Sequence, residues 1–485
     1  MKRGLCRAGG LLLFLLLYLI VGAIVPFWTY QEVSPETKQQ VKERLDEEEL
    51  LRAQEEDGSF CDRVMLLESN ESAWEERIRL LNQAQKRIIL STFDMREGES
   101  TRDLLAMLLV KAQEGVSVQI LVDGISGVVR MDGNPLFYAL SSHPQVEIRL
   151  YNRLNLLKPW KTQGRMHDKY LIVDDLAYIL GGRNSFDYFI GSYPTNSRSY
   201  DREVLVYSGD SRKAGAAPSS LLELETYFTG VWNQKECTVF HGEPELAEKK
   251  QVIGERQKLA ERYEKLKREN PQLFETPDYQ ACTYETRGIS LISNPTGIYG
   301  KEPRVFYELT ERMKRAREQV IIHTPYAVCN DAMLEALSQV ALEVPKVTIM
   351  LNAVENGDNF MASSDYVYHR KDLLGTGISL LEYDGGTSYH GKSMVLDGRT
   401  VVVGSYNLDL RSSYVDTELM LVIDSQELAG ELLAYMEGYH QDCRQVMAEG
   451  ESVLPNGRTP QKAPLWKRGA WRVVGLIMQP FRYLV

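Results

Sequence analysis

One pattern occurs twice in this chain, and it limits the folds available more than any other feature. Residues 166–174 read Met-His-Asp-Lys-Tyr-Leu-Ile-Val-Asp, and residues 389–397 read Tyr-His-Gly-Lys-Ser-Met-Val-Leu-Asp. In each copy Lys follows His by 2 positions, Asp by 7, a Gly by 14 and an Asn by 17. The matched residues are His167, Lys169, Asp174, Gly181 and Asn184, then His390, Lys392, Asp397, Gly404 and Asn407. One His-x-Lys carries little information, but five positions at identical offsets in two copies imply two related structural units. The residues after each Lys are apolar, so each copy reads as a strand, a turn at the Asp and a second short strand. Residues i and i+2 of a strand share a face. His167 and Lys169 therefore point together, as do His390 and Lys392. Asp174 and Asp397 have the opposite parity and sit at the turn, where Asp397-Gly398 is itself a hairpin signal. On parity, the two Asp residues read as turn anchors rather than partners of their own histidines, although they belong to the recurring catalytic-type set. The second strand of each copy returns Asn184 or Asn407 to the His and Lys.

The rest of the chain alternates in the same way. Residues 87–93, 117–122 and 146–151 have strand patterns, with a helix pattern at 104–112. Later, residues 320–323, 347–351 and 378–383 read as strands, with helices at 305–318 and 332–342. Alternation of this kind indicates an α/β fold. The expected domains are a first half at 60–244 and a second at 291–445. A charged helical connector at 245–290 joins them.

The ends differ from the body. Lys2, Arg3 and Arg7 precede an uncharged stretch at residues 8–31 whose centre is nearly all apolar. That centre meets the minimum for a membrane span, about 17 residues. Residues 1–31 therefore read as a signal anchor, with a cleaved signal as the alternative. Basic residues before the span and acidic ones after it place the body outside the cytoplasm. The protein is thus expected in the cell membrane, single-pass. Residues 32–59 read as a charged linker. Residues 446–485 form a basic, Trp-bearing tail that suits either a membrane surface or a terminal helix docked on the body. The net charge of −11 disfavours non-specific nucleic-acid binding. Six cysteines are present without any C-x-x-C pairing, so no zinc site is indicated. Neither a metal nor another cofactor is expected.

The histidines, lysines and asparagines suit phosphodiester chemistry. A neutral imidazole can attack phosphorus and later leave, and a protonated one can donate to the departing oxygen. Lys169 and Lys392 bring positive charge to the phosphoryl oxygens and join the histidines in the catalytic set, and Asn184 and Asn407 bring amide donors and read as phosphate-binding groups. Downstream, Asp201-Arg202-Glu203 and Asp416-Thr417-Glu418 each precede an apolar run. Glu203 and Glu418 are the expected orienting carboxylates for the imidazoles.

These residues, His-x-Lys-x4-Asp in duplicate, resemble the phospholipase D superfamily over most of residues 60–445. Arg165-Met166-His167-Asp168-Lys169 with Gly-Gly-Arg-Asn, Gly404-Ser405-Tyr406-Asn407-Leu408-Asp409-Leu410-Arg411-Ser412, and the basic aromatic tail are most similar to bacterial cardiolipin synthases and related phosphatidyltransferases. One departure is Asp416, where those enzymes usually carry Asn. The resemblance implies two pseudo-symmetric α/β sandwich halves with the active site at their interface. It implies membrane phospholipids as partners, namely phosphatidylglycerol as substrate and cardiolipin as product, with a phosphatidyl-histidine intermediate and release of glycerol. It further implies His167 as nucleophile and His390 as acid/base, although the residues themselves treat the two alike. The competing reading is a hydrolase, either a phospholipase D proper or, less favoured, a nuclease.

Overall fold

The computed structural model describes residues 2–54, 62–208, 219–447, 452–455 and 459–485, with the side chains of residues 2–8, 51–54 and 452–453 excluded. Cys6 and Cys61, and the basic side chains before the N-terminal span, lie outside the described side chains. The described cysteines, Cys237, Cys282, Cys329 and Cys443, are free thiols.

Two nine-stranded sheets dominate the chain. The first runs Tyr284–Glu285, Arg63–Leu67, Glu203–Tyr207, Ala177–Gly181, Tyr170–Val173, Arg87–Thr92, Ser117–Asp123, Val146–Tyr151 and Cys237–Val239. The second runs Ile289–Ser293, Leu419–Asp424, Thr400–Gly404, Ser393–Leu396, Gln319–His323, Lys346–Asn352, Ser379–Tyr383, Cys443–Val446 and Ser452–Val453. From Arg63–Leu67 in one and Ile289–Ser293 in the other, the orders coincide strand for strand. Both contain a parallel three-strand core continued by the antiparallel motif hairpin. The chain passes between sheets at residues 286–288, slightly before the boundary expected from composition.

The motif strands are buried on every residue because both faces are covered. Leu171 and Val173 face the helices of their own half, whereas Tyr170 and Ile172 join a core shared with Val395, Val401 and Val403 of the other sheet. The sheets therefore lie face to face, with helices outside. Two further helices tie the halves together. Ser220–Trp232 packs against the second half's Ile289–Ser293, and Gln426–His440 packs against the first half's Arg63–Leu67.

Two segments read as connectors are built into the body. The helix Lys250–Glu269 lies on the helices Glu99–Gln113 and Pro135–Ser141, burying Val252, Leu259, Tyr263 and Leu266 in the first half's core. The helix Pro35–Gln54 is not a solvated stalk. It buries Val41 and Leu45, and Glu48 forms a two-pronged pair with Arg312 of the second half. Both helices have few apolar positions, and ion pairs complete their contacts.

Among the described residues, one helix is long and apolar enough to cross a membrane, over Gly9–Phe27, and it is almost entirely exposed. Its end meets the C-terminus, where Phe27 stacks on Tyr483. The tail helix Leu465–Ile477 docks on the body, one of its two expected readings. Trp471 and Gly475 seat it on the helix Phe360–Gly375, while Leu465, Trp466, Val473, Leu476 and Ile477 remain exposed.

Candidate active site

Each histidine sits on the extended lead-in to its hairpin, since the strands themselves begin at Tyr170 and Ser393. The lead-ins cross to the opposite half. Met166 bridges to Thr417, and the His167 amide donates to Thr417 Oγ1 at 3.2 Å. Ser388–Tyr389 pairs with Ser199–Tyr200, and the His390 amide donates to the Tyr200 carbonyl at 2.6 Å. The sites of both copies are thereby brought to the seam between the sheets.

The imidazoles are oriented across the same seam. His167 Nδ1 lies 2.9 Å from Glu418 Oε1, and His390 Nδ1 lies 2.7 Å from Asp201 Oδ2. Each ring therefore leaves Nε2 on the side away from its carboxylate. Phe93 meets the His167 ring edge-on at 5.2 Å, and Phe189 lies against His390 at 5.0 Å. Lys169 and Lys392 each donate to the carbonyl of the histidine two residues before, and Lys392 Nζ lies beside the His390 ring, 2.5 Å from Nδ1 and 3.2 Å from Nε2. Asn184 is anchored through Oδ1, which accepts from the Asp94 amide at 3.1 Å. Asn407 Nδ2 donates to Tyr326 Oη at 3.2 Å.

The expected partner Glu203 is displaced by Asp201. Glu203 is buried and engages Arg77 through two 2.7 Å hydrogen bonds, with Arg183 at 3.6 Å. Strand register gives the reason. Gly181 pairs with Glu203, whereas its counterpart Gly404 pairs with Met420. Glu203 therefore corresponds to Met420, and Asp201 to Glu418. Matching the two Asp-x-Glu strings directly shifts the copies by two residues. The remaining carboxylate, Asp416, takes Arg411 at 2.9 Å and the Arg165 amide at 3.0 Å.

Asp174 and Asp397 lie at the hairpin turns, where each carboxylate is taken up by backbone amides. Asp174 accepts from the amides of Gln85, Lys86 and Arg87 at 2.7–2.9 Å. Asp397 accepts from those of Arg317, Glu318 and Gln319 at 2.8–3.0 Å. Both adopt left-handed backbone, with φ of 50° and 51°, which Asp tolerates better than most residues. Asp174→Ala is expected to lower unfolding stability by about 1–3 kcal/mol, because three amides lose their acceptor. The folded fraction should keep kcat within a few-fold. Denaturant titration together with kcat decides, and a large kcat loss at unchanged stability would return Asp174 to the chemistry.

The electrostatics divide the pair. Burial, reinforced by the charges of Lys169 and Lys392, holds His167 well below the usual histidine range. Burial also pushes its partner Glu418 up to about 8, against the pull of Lys169 and the hydroxyls of Ser405 and Ser412. The His167–Glu418 pair is thus held with little charge. His390 is lowered by burial and Lys392, while Asp201 pulls the other way. Burial alone would raise Asp201, but Lys392 and the His390 hydrogen bond outweigh it and hold the carboxylate at about 2. A fixed negative charge therefore stands behind His390. Lys169 is pushed down to about 7, chiefly by burial.

Residues 78–207 and 309–439 each match the family described as cardiolipin synthase, PLD-like domain. The chain belongs to this family. Each match contains one full motif copy and one orienting carboxylate, Asp201 in the first and Glu418 in the second. The chain is 26% identical to cardiolipin synthase C of Escherichia coli K12 over 404 residues, covering 75% of this chain and 81% of that protein. It is 22% identical to cardiolipin synthase A of Serratia proteamaculans over 419 residues, covering 85% and 74% of the two chains. Among solved structures, phosphatidylserine synthase of Haemophilus influenzae superposes with a TM-score of 0.60 at 13% identity, over 87% of this chain and 95% of that one. That likeness shows a shared fold. Asp201 escaped a reading from sequence because the chain leaves the strand before Glu203, so period-two parity does not extend to it. The pairing of each histidine with a carboxylate of the other half had no local signal at all.

Proposed function

We propose that this phospholipid-modifying enzyme of the phospholipase D superfamily is a cardiolipin synthase, joining two phosphatidylglycerols and releasing glycerol. The observation that carries the mechanism is that each imidazole is held at Nδ1 by a buried carboxyl group of the opposite half. His167, held below the usual histidine range by burial, is available as a neutral nucleophile, with Nδ1–H donating to Glu418 and the lone pair left on Nε2. His390, backed by an ionised Asp201, can carry a proton.

In the first step the His167 Nε2 lone pair forms a bond to phosphorus. The bond from phosphorus to the glycerol head-group oxygen breaks, and a proton from His390 Nε2 passes to that oxygen. In the second step His390 takes a proton from the head-group hydroxyl of a second phosphatidylglycerol. That oxygen bonds to phosphorus, the P–N bond breaks, and cardiolipin is complete. Lys169, Lys392, Asn184 and Asn407 supply donors to the phosphoryl oxygens as their charge develops. Deep burial at the seam strengthens each of these interactions.

Purified full chain with phosphatidylglycerol vesicles tests the reading. Cardiolipin and glycerol in equal amounts support it, and phosphatidic acid as the sole lipid product replaces it with hydrolysis. The site should also take up protons when an anion binds. Lys169 sits at about 7 in the free enzyme, so much of it is neutral near pH 7.5. A phosphoryl anion beside it favours the ammonium form. Binding of orthovanadate, measured calorimetrically in buffers of different ionisation enthalpy, should therefore show net proton uptake. Binding should weaken as pH rises through 7. Proton release would contradict this arrangement.

A further inference from the structure

The two halves differ sharply in how the chain reaches its histidine. From Tyr383 the second half arrives at His390 through residues 384–389, whereas from Tyr151 the first half spends residues 152–166 before His167. A long irregular loop in a compact domain usually has a use. This one is tied shut at its base. Asn152, at φ 50°, donates to the carbonyls of Lys161 and Gly164 at 2.6 and 2.8 Å. Arg165 donates to those of Tyr151, Asn152 and Thr162 and also holds Asp123.

The base is thus rigid, but the tip is apolar and bare. Leu154, Leu156 and Leu157 are 50%, 60% and 80% exposed. One such leucine would be ordinary, but three in four positions on one closed loop form a patch. The tip lies directly against the apolar N-terminal helix. Tyr18 Oη donates to the Leu157 carbonyl at 2.8 Å, and the Tyr18 ring meets Trp160 edge-on at 6.4 Å. One turn on, a Cβ at Gly22 would lie 2.5 Å from Pro159 Cγ, so the approach needs glycine there.

Both contacts fall inside the span Gly9–Phe27. At ~1.5 Å per residue, Tyr18 is ~13 Å along the helix from Phe27, comparable with half of a ~30 Å hydrocarbon core. Backbone at that depth needs internal partners. Leu157 has them, since its carbonyl accepts from Tyr18 and its amide donates to Asn155 Oδ1 at 3.0 Å. Lys158 and Lys161 can extend toward lipid head groups while their stems stay apolar.

We propose that residues 153–163 are immersed in the acyl layer of the bilayer beside the N-terminal span. There they form the lip along which a diacyl phospholipid lies while its phosphodiester reaches His167. The immersion stands on the contacts with the span, whereas the lip role rests on the function proposed above. Full chain reconstituted in phosphatidylglycerol vesicles, with accessible native thiols replaced by serine, tests the first part. Leu157→Cys carrying an environment-sensitive fluorophore should be quenched by lipids doxyl-labelled on the acyl chain, and the same label at Ile253→Cys should not. Quenching of the Leu157 label by aqueous iodide instead would overturn the immersion, whatever reaction the enzyme catalyses. For the second part, Leu156→Asp and Leu157→Asp should lower the ratio of kcat/KM on long-chain to that on dispersed short-chain phosphatidylglycerol at least ~10-fold. An unchanged ratio would remove the lip role and leave both the immersion and the transferase reading intact.

Discussion

Replacing His167 with alanine should lower phosphatidyl transfer on the order of 10⁴-fold or more and leave no covalent lipid on the protein. His390→Ala should be equally inactive on phosphatidylglycerol, because a glycerol alkoxide cannot depart without a proton. The two variants separate on a lipid analogue whose leaving group is p-nitrophenol, which needs no acid. With His167 intact and nearly uncharged beside Glu418, His390→Ala should release one burst of nitrophenol per active site. It should then stall as phosphatidyl-His167, since no base remains to activate the second alcohol. His167→Ala should give no burst. Acid quenching and peptide mass spectrometry locate the adduct. An adduct on His390, or a burst from His167→Ala, would reverse the roles. The double variant should be little worse than either single one, because the groups act as a unit.

Much of this site was legible because its determinants are local. The offsets from His to Lys, Asp, Gly and Asn describe one hairpin, and a hairpin is set by alternation and turn chemistry. Strand parity also moved Asp174 and Asp397 to the turn, where they hold backbone amides. Parity stopped helping where the chain leaves the strand. Asp201 lies on an irregular link between Ser199–Tyr200 and Glu203–Tyr207, and only the pairing of Gly181 with Glu203 shows which residue stands opposite Glu418. The docking of Pro35–Gln54 was hidden for a different reason. Its attachment through Glu48 and Arg312 is a contact between distant, charged residues, and the apolar pattern does not record it. The exposed leucines of residues 154–157 carried no signal until the N-terminal span was seen beside them.

The two carboxylates of the first half should fail in different ways. Asp201→Asn keeps the size of the side chain but removes the charge behind His390 and can present an amide N–H to Nδ1. The ring then loses the partner that fixes its tautomer and supports its protonated form. By the behaviour of buried acid–imidazole pairs, kcat should fall on the order of 10³–10⁴-fold. Because Asp201 raises the His390 pKa, its loss should also move the alkaline limb of the kcat profile to lower pH. Stability should fall as well, because His390 and Lys392 lose a buried charge partner, so the kcat loss is read on the folded fraction. Glu203→Gln instead leaves Arg77 and Arg183 facing a neutral group in a site closed to solvent. Removing one member of a buried ion pair costs about 3–5 kcal/mol. Urea unfolding should show that loss, while the fraction that folds retains kcat within a few-fold. If Glu203→Gln abolished turnover without loss of stability and Asp201→Asn did not, the register that equates Asp201 with Glu418 would be the wrong guide to the chemistry. The seam between the halves would then have to orient His390 through another residue.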